Sequence, residues 1–188
     1  SIARTFNFSP DWVLVGNGSD DLLTMILRSV AEPGRKVVYP MPTYVLYRTL
    51  AQIQDAPIVE VPFDEDYSLP LEALAAEDGA VTILANPNSP SGACASNEQL
   101  AELAGRLSGL LVIDEAYADF AEADALELVR RFENVLVLRT LSKGYSLAGL
   151  RLGWGIGRPA IIEGLSKVKD SYNVDAAACA AGAAAVED

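Results

Sequence analysis

The chain alternates between short, almost uninterrupted apolar runs and longer stretches in which apolar residues recur every three or four positions. The apolar runs are rich in Val, Leu and Ile and do not alternate with polar residues, which is typical of strands buried on both faces of a sheet. These runs predict seven strands, at 12–16, 36–40, 57–61, 81–86, 110–114, 134–139 and 151–157.

The stretches between the strands have the spacing of amphipathic helices. Leu22, Ile26 and Val30, for example, fall on one face of a helix. Ser96, followed three residues later by Gln99, forms a capping box that marks the start of another helix. The alternation predicts an α/β fold in three layers, a mostly parallel seven-stranded sheet with helices on both faces. Helices are predicted at 19–31, 43–55, 96–107, 122–131, 159–170 and 174–186.

Composition and charge narrow the class of protein. The chain has 14 Lys and Arg against 26 Asp and Glu, a net charge of −12, and its acidic residues are scattered. This charge argues against nucleic acid or an anionic membrane as a partner. No apolar stretch reaches the length of a membrane span, and the first residues have no basic-then-apolar signal pattern. We therefore expect an ordinary soluble protein of the cytoplasm.

Cysteine and histidine usage excludes several chemistries. The two cysteines, Cys94 and Cys179, are far apart, and the chain has no histidine. Isolated cysteines favour a reducing compartment. Without histidine the usual zinc ligand sets cannot be built, so we expect no metal site. Ser-His-Asp, Cys-His and histidine-base mechanisms are excluded as well. Proton transfer must then use lysine, tyrosine, a carboxylate or a cofactor.

The first candidate site is the turn between the first strand and the first helix. The strand ends at Gly16, and the predicted helix begins with Ser19 and Asp20. Exposed N–H groups at a helix start bind phosphate, and glycines let it come close. The alternative is a capped helix with acidic residues in its first turn. The dinucleotide-binding fingerprint is not met, because Asp21 stands at its last glycine position and no acidic residue follows about twenty residues on.

Two further candidate sites follow buried strands. The loop NPNSPSG (86–92) places polar side chains where a ligand would lie, although its composition is also that of an ordinary turn. Asp114 ends the most apolar strand, where an unpaired carboxylate would be costly, so it needs a cation or hydrogen-bond donors. A P-loop ATPase is excluded because no lysine is followed by Ser or Thr.

The fourth candidate is Lys143, one of four lysines, which follows the apolar run at 134–139. Ser142 precedes it, and Arg151 lies eight residues further on. A lysine in a polar loop is usually just solvated. Together, however, the four sites offer a helix start and an arginine for a phosphate, a buried carboxylate for a cationic ring nitrogen, and a lysine for an aldehyde. Pyridoxal phosphate has all of these groups.

Five segments, in order over nearly the whole chain, carry a family resemblance. They read GNGSDDL (16–22), YPMPTYVLY (39–47), NPNSPSG (86–92), VIDEAYADF (112–120) and RTLSKGYSLAGLRLGWGIG (139–157). In these segments the chain resembles the fold-type I pyridoxal-phosphate aminotransferases, and most of all their histidinol-phosphate branch. The combination of TLSK, an arginine eight residues after the lysine, and DEAY is specific for the superfamily.

The resemblance implies a role for each matched residue. Lys143 bonds covalently to the cofactor's aldehyde and then moves a proton between the substrate's α-carbon and the cofactor. Asp114 pairs with the protonated ring nitrogen. Tyr117 donates a hydrogen bond to the ring's phenolic oxygen, and Tyr44 stacks on the ring. The phosphate is held by Ser19, Asp20, Ser142 and Arg151.

One position departs from the family pattern. The family's loop commonly reads Asn-Pro-Asn-Asn-Pro-Thr-Gly, and the asparagine before the second proline contacts the phenolic oxygen. Here that position is Ser89. A serine hydroxyl can still donate but reaches less far, so either water or Asn88 assists it or the contact is weaker.

The resemblance also implies an organisation and an activity. Residues 1–188 correspond to the cofactor-binding large domain, and we expect a fragment without the family's amino-terminal arm and carboxyl-terminal small domain, weakly active or inactive alone. The implied reaction, in histidine biosynthesis, transfers an amino group between histidinol phosphate and the 2-oxo acid 2-oxoglutarate in a homodimer. An aromatic aminotransferase, a threonine-phosphate decarboxylase and a non-catalytic pyridoxal-phosphate-binding module remain alternatives.

Overall fold

A seven-stranded sheet runs through the computed structural model, which describes residues 1–188. Its strand order is β1-β7-β6-β5-β4-β2-β3. β7 runs antiparallel to its two neighbours, β1 and β6, and all other strand pairs are parallel. The strands are β1 (Val13–Gly16), β2 (Val37–Met41), β3 (Ile58–Pro62), β4 (Val81–Ala85), β5 (Leu110–Asp114), β6 (Val135–Thr140) and β7 (Gly153–Gly157).

Eight α-helices pack on the sheet. Three short 3-10 helices accompany them, at Pro10–Trp12, Ala118–Phe120 and Ala148–Leu150. The longest α-helices have twelve residues, and none of the eight has the combined length and apolar character needed to cross a bilayer. The α-helices are α1 (Ile2–Thr5), α2 (Ser19–Val30), α3 (Leu46–Ile53), α4 (Leu71–Glu77), α5 (Asn97–Arg106), α6 (Leu126–Arg131), α7 (Pro159–Ser166) and α8 (Ala176–Glu187).

Successive residues of the central strands pack into opposite layers. In β5, Leu111 and Ile113 join the core formed with α4, α5, α6 and α8, whereas Val112 joins the core formed with α2, α3 and α7. Strands covered on both faces need apolar residues at almost every position, which explains the uninterrupted apolar runs. The predicted three-layer α/β fold with a mostly parallel seven-stranded sheet is confirmed.

Several predicted elements begin later in the structure than their patterns indicated, and two of them show why. The seventh strand was expected from residue 151, but Arg151 adopts a left-handed φ of 51° at the end of a 3-10 turn, and β7 begins at Gly153. The helix expected at 122–131 begins only at Leu126, because the preceding residues form bends and not helix. The N–H of Ala125 in this segment donates to Glu115 Oε1 at 2.6 Å.

The other predicted helices are present, and two short ones were missed. The helices expected at 43–55 and 159–170 are shorter in the structure, covering α3 and α7. The capping box of Ser96 and Gln99 is present at the start of α5. The missed α1 and α4 have four and seven residues, too few turns for a clear apolar period.

Candidate active site

A cavity of about 230 Å³ lies at the carboxyl ends of β4, β5 and β6. Strands that run parallel bring the loops after them to one edge of the sheet, where ligands bind in open α/β folds. All nine residues predicted to hold a cofactor line this cavity, and their roles there stay predictions. They are Ser19, Asp20, Tyr44, Ser89, Asp114, Tyr117, Ser142, Lys143 and Arg151.

The start of α2 forms one side of the cavity. The N-cap residue Gly18 makes no side-chain cap, so no side chain of its own satisfies the first N–H groups of α2. Such groups, together with the helix dipole, favour an anion. Ser19 and Asp20, the first two residues of the helix, line the cavity. The uncapped start fits the phosphate-binding interpretation better than that of a capped helix.

Arg151 lies beside the start of α2. Its Nη1 donates to the carbonyl oxygen of Ala148 at 3.1 Å and to Ser142 Oγ at 3.4 Å, and its Nη2 is 3.7 Å from Asp20 Oδ2. A guanidinium carries five N–H donors in a planar fork, so donors remain for a further acceptor. Because its carboxylate faces Arg151, Asp20 can offer an anion only its backbone N–H.

Two glycines let these groups come close together. A Cβ on Gly18 would lie 2.6 Å from Arg151 Nη2, and the φ of Gly18 is 84°, which other residues rarely adopt. A Cβ on Gly153 would lie 2.5 Å from the backbone nitrogen of Ser19. A side chain at Gly153 would push the start of α2 away from β7, and one at Gly18 would displace the Arg151 guanidinium.

Asp114 is held by hydrogen bonds rather than by an adjacent cation. Its Oδ2 accepts from the hydroxyl of Tyr47 at 2.7 Å, and its Oδ1 accepts from the N–H of Ala116 at 3.2 Å. Burial raises the pKa of Asp114 above its ordinary value, while these two bonds and, more weakly, the charge of Lys143 lower it. The carboxylate still has lone pairs free at the cavity, where it can accept a proton donor.

Two tyrosines of the YPMPTYVLY segment stand side by side at the cavity. The hydroxyl of Tyr44 donates to Asp20 Oδ1 at 3.3 Å, and its ring meets that of Tyr47 edge-on at a centroid distance of 5.7 Å. Tyr47 was not predicted as a site residue. Its spacing of three from Tyr44, which would put both on one face of the helix predicted at 43–55, was the available signal.

Lys143 is exposed in the turn after β6, at the mouth of the cavity. Its Nζ lies 5.2 Å from the centroid of the Tyr117 ring, within cation–π range. Tyr117 follows β5 by three residues, so this contact joins the loops after β5 and β6. The lysine, the tyrosine and Asp114 therefore surround one space.

In the loop after β4, the side chains of the two asparagines stabilise the conformation of the loop through hydrogen bonds. Asn86 bonds to backbone groups across the loop, and Asn88 accepts from Thr43 at 2.8 Å. The amide nitrogen of Asn88 donates to Ser91 Oγ at 2.8 Å and to a backbone carbonyl at 3.1 Å, which uses both of its N–H bonds. Asn88 thus has no N–H left to assist Ser89, whose side chain lines the cavity.

A second charged group lies behind the cavity, on the opposite face of the sheet. Glu115 and Arg139 are both buried, and Arg139 Nε donates to Glu115 Oε2 at 2.8 Å. Arg139 Nη2 is also 2.9 Å from Asp124 Oδ2. Because side chains alternate along a strand, Glu115 points away from the cavity that Asp114 faces. This ion pair joins the ends of β5 and β6.

Fold and site together define a class of protein, an α/β domain with a lysine, a buried carboxylate and an arginine around one cavity. The profile of the family Aminotransferase class I and II matches residues 1–188, and the chain belongs to this family. The resemblance seen in the five sequence segments is thereby confirmed.

Particular members of the family are strongly similar to this chain. Histidinol-phosphate aminotransferase 1 of Trichormus variabilis is 62% identical over 186 residues, which cover 99% of this chain and 53% of that protein. The histidinol-phosphate aminotransferase of Geotalea uraniireducens is 47% identical over 186 residues, with the same two coverages. The chain spans about half the length of the curated relatives it matches.

Solved structures agree with this comparison. The crystal structure of histidinol-phosphate aminotransferase from Sinorhizobium meliloti in complex with pyridoxal-5'-phosphate matches with a TM-score of 0.93 at 33% identity. The match covers 100% of this chain and 53% of that chain. An L-threonine-O-3-phosphate decarboxylase from Porphyromonas gingivalis matches with a TM-score of 0.86 at 17% identity, a likeness of fold alone.

Proposed function

We propose that this chain is the pyridoxal-phosphate-binding domain of an aminotransferase. The observation that carries the proposal is the meeting of Lys143, Asp114 and Arg151 around one cavity. An amine, a buried carboxylate and a guanidinium beside an uncapped helix start match the aldehyde, the ring nitrogen and the phosphate of the cofactor. When bound, the cofactor supplies a ring that withdraws electrons from the substrate's α-carbon.

Lys143 would bond to the aldehyde and serve as the proton carrier at the substrate's α-carbon. No histidine exists in the chain to take this part. Its exposed position lets the Nζ reach a substrate, and the Tyr117 ring on one side limits its directions. Tyr117 and Ser89 would donate to the phenolic oxygen, and Tyr44 would stack on the ring.

Asp114 would accept a hydrogen bond from the protonated ring nitrogen. An ionised carboxylate beside this nitrogen keeps the proton on the ring, which the electron-withdrawing role requires. The side chain is 5% exposed, so the interaction is shielded from water.

The phosphate would bind where the N–H groups of α2 converge with Ser142 and Arg151. If so, Arg151→Gln is expected to weaken pyridoxal phosphate binding by about 10- to 100-fold, the usual range for a charge-assisted hydrogen bond. Without Arg151, the carboxylate of Asp20 would also be left uncompensated beside the phosphate. Binding is measured by equilibrium titration of the cofactor-free protein.

Pyridoxal, which lacks the phosphate, provides the control for this substitution. Its affinity is expected to be nearly equal in the wild type and in Arg151→Gln. Arg106→Gln, which removes an arginine that pairs with Glu72 on the surface, should bind both ligands as the wild type does. An equal loss of affinity for both ligands in Arg151→Gln would contradict the phosphate assignment.

For the substrates we propose histidinol phosphate as amino donor and 2-oxoglutarate as acceptor. The support is that relatives 46–62% identical to this chain are histidinol-phosphate aminotransferases. Because the chain alone is expected to be weakly active or inactive, the full-length protein that contains it should be assayed with histidinol phosphate, phenylalanine and threonine phosphate, each with 2-oxoglutarate. Turnover is expected to be fastest with histidinol phosphate. No turnover of this donor, with turnover of another, would overturn the choice of substrate but leave the cofactor proposal standing.

We further propose a homodimer that works in the cytoplasm. The family resemblance supports the dimer, and the two free, exposed cysteines fit a reducing compartment. Sedimentation at the mass of a single chain would contradict the dimer.

A further inference from the structure

The hydroxyl of Tyr47 has a single hydrogen-bond partner, the carboxylate of Asp114. Tyr47 is completely buried in the second position of α3, and its Oη lies 2.7 Å from Asp114 Oδ2. A phenylalanine would fill almost the same space and would not bury a polar group. The hydroxyl therefore serves the contact with Asp114 rather than the packing of the helix.

A second buried tyrosine, Tyr39, lies next to Tyr47 but has a different hydrogen-bond partner. Tyr39 is also buried, its ring centroid lies 6.0 Å from that of Tyr47, and its hydroxyl donates to Glu60 Oε1 at 2.9 Å. The hydroxyls of these two neighbouring buried tyrosines thus donate to different carboxylates. Tyr39 bonds to a carboxylate outside the cavity, and Tyr47 bonds to the one at its floor.

Few groups favour the charged form of Asp114. Burial is the largest influence on its pKa and raises it, and the nearby carboxylate of Asp20 raises it further. Against these stand the hydrogen bonds from Tyr47 and Ala116 and the more distant charge of Lys143. Among the interactions that favour the ionised form of Asp114, the hydrogen bond from Tyr47 is the largest. It is also the only one that comes from a side chain in direct contact.

We propose that Tyr47 is a positioning residue that fixes the orientation of the Asp114 carboxylate and keeps it ionised. The bond occupies one lone pair of Oδ2, and the N–H of Ala116 occupies one of Oδ1, so the carboxylate cannot turn about its bond to Cβ without losing both. The role of Asp114 at a ring nitrogen rests on the proposed function. The coupling between Tyr47 and Asp114 does not.

The test is the pKa of Asp114 in the cofactor-free protein, followed by ¹³C NMR of its side-chain carboxyl and assigned by comparison with Asp114→Asn. In Tyr47→Phe this pKa is expected to rise by about 1 to 2 pH units, the usual worth of a hydrogen bond to a charged group. Tyr39→Phe is the matched control, because it removes a buried hydroxyl nearby. It should leave the Asp114 pKa unchanged. An unchanged pKa in a folded Tyr47→Phe protein would overturn the proposal.

A second measurement connects the pair to the cofactor. Pyridoxal phosphate and an analogue with carbon in place of the ring nitrogen are titrated into wild type and Tyr47→Phe. The substitution is expected to weaken pyridoxal phosphate binding several-fold more than binding of the analogue. Equal losses, together with an unchanged Asp114 pKa, would reduce Tyr47 to a packing residue. If neither protein binds pyridoxal phosphate, the proposed function fails, while the pKa comparison still decides the role of Tyr47.

Discussion

In the full-length protein, Lys143→Ala is expected to abolish amino-group transfer, with kcat falling by at least about 10⁴-fold. The substitution removes both the amine that would bond to the cofactor's aldehyde and the base that moves the proton at the substrate's α-carbon, and each contribution is large by itself. On addition of pyridoxal phosphate, the wild type should develop an absorbance band near the visible edge. Lys143→Ala should not develop this band, although Arg151 should still hold the cofactor non-covalently.

The other three lysines are badly placed to substitute for Lys143. Lys36 precedes β2, at the opposite edge of the sheet, and pairs with Glu77 at 2.9 Å. Lys167 and Lys169 both follow α7, and Lys167 lines a different cavity. Lys167→Ala is therefore the matched control and should show the wild-type spectrum and rate. Identical spectra for wild type and Lys143→Ala would contradict the cofactor assignment.

The positions of the strands follow from the sequence because burial on both faces leaves little choice of residues. All seven predicted strands are present, each with ends within two residues of those expected. The strand order could not be obtained in this way, because an apolar run does not specify its neighbours. β7 lies antiparallel between β1 and β6, and its pairing with β1 joins residues more than a hundred positions apart.

The candidate site could be predicted to the extent that its residues follow strands. Asp114 ends β5, and Ser89 and Lys143 lie in the loops that follow β4 and β6, so the parallel strands bring them together. Tyr47 was missed because its significance lies in a partner 67 residues away. The ion pair of Glu115 and Arg139 was missed for a similar reason, since neither residue carries a motif that reveals its partner.

This ion pair leads to the prediction with the largest expected effect on stability. Arg139→Met is expected to lower the free energy of unfolding by about 3–5 kcal/mol, the usual cost of leaving one partner of a buried pair alone. The side chain of Glu115 is 1% exposed, and that of Arg139 is 11% exposed. Arg139 Nη2 lies within ion-pair distance of Glu115 and Asp124, although its N–H bonds are not aligned with their oxygens. Urea denaturation measures the change.

The stability lost in Arg139→Met should depend on pH. The surroundings of Glu115 determine whether the loss grows or shrinks as the pH rises. Burial raises the pKa of Glu115 to about 7, against the opposing effect of Arg139, so without Arg139 the pKa should rise further. Because the pKa of Glu115 is raised, the folded state still holds a proton that the unfolded chain releases above about pH 4.5. The free energy of unfolding therefore falls as the pH rises. The deficit of Arg139→Met should therefore be larger at about pH 8 than at about pH 5.

A second substitution tests whether the charge of Glu115 causes this loss. Glu115→Gln keeps a side-chain oxygen that can accept from the N–H of Ala125, where Glu115 Oε1 now accepts at 2.6 Å, but it removes the charge. The double variant Arg139→Met/Glu115→Gln buries no unpaired charge, and replacing both members of a buried pair is often nearly neutral. It is expected to regain most of the stability lost in Arg139→Met, and its deficit should no longer grow with pH.

If the double variant is no more stable than Arg139→Met at about pH 8, the loss comes from the packing of the Arg139 side chain between β6 and Phe6, whose ring centroid lies 5.3 Å from the guanidinium. The buried charge would then have no part in it.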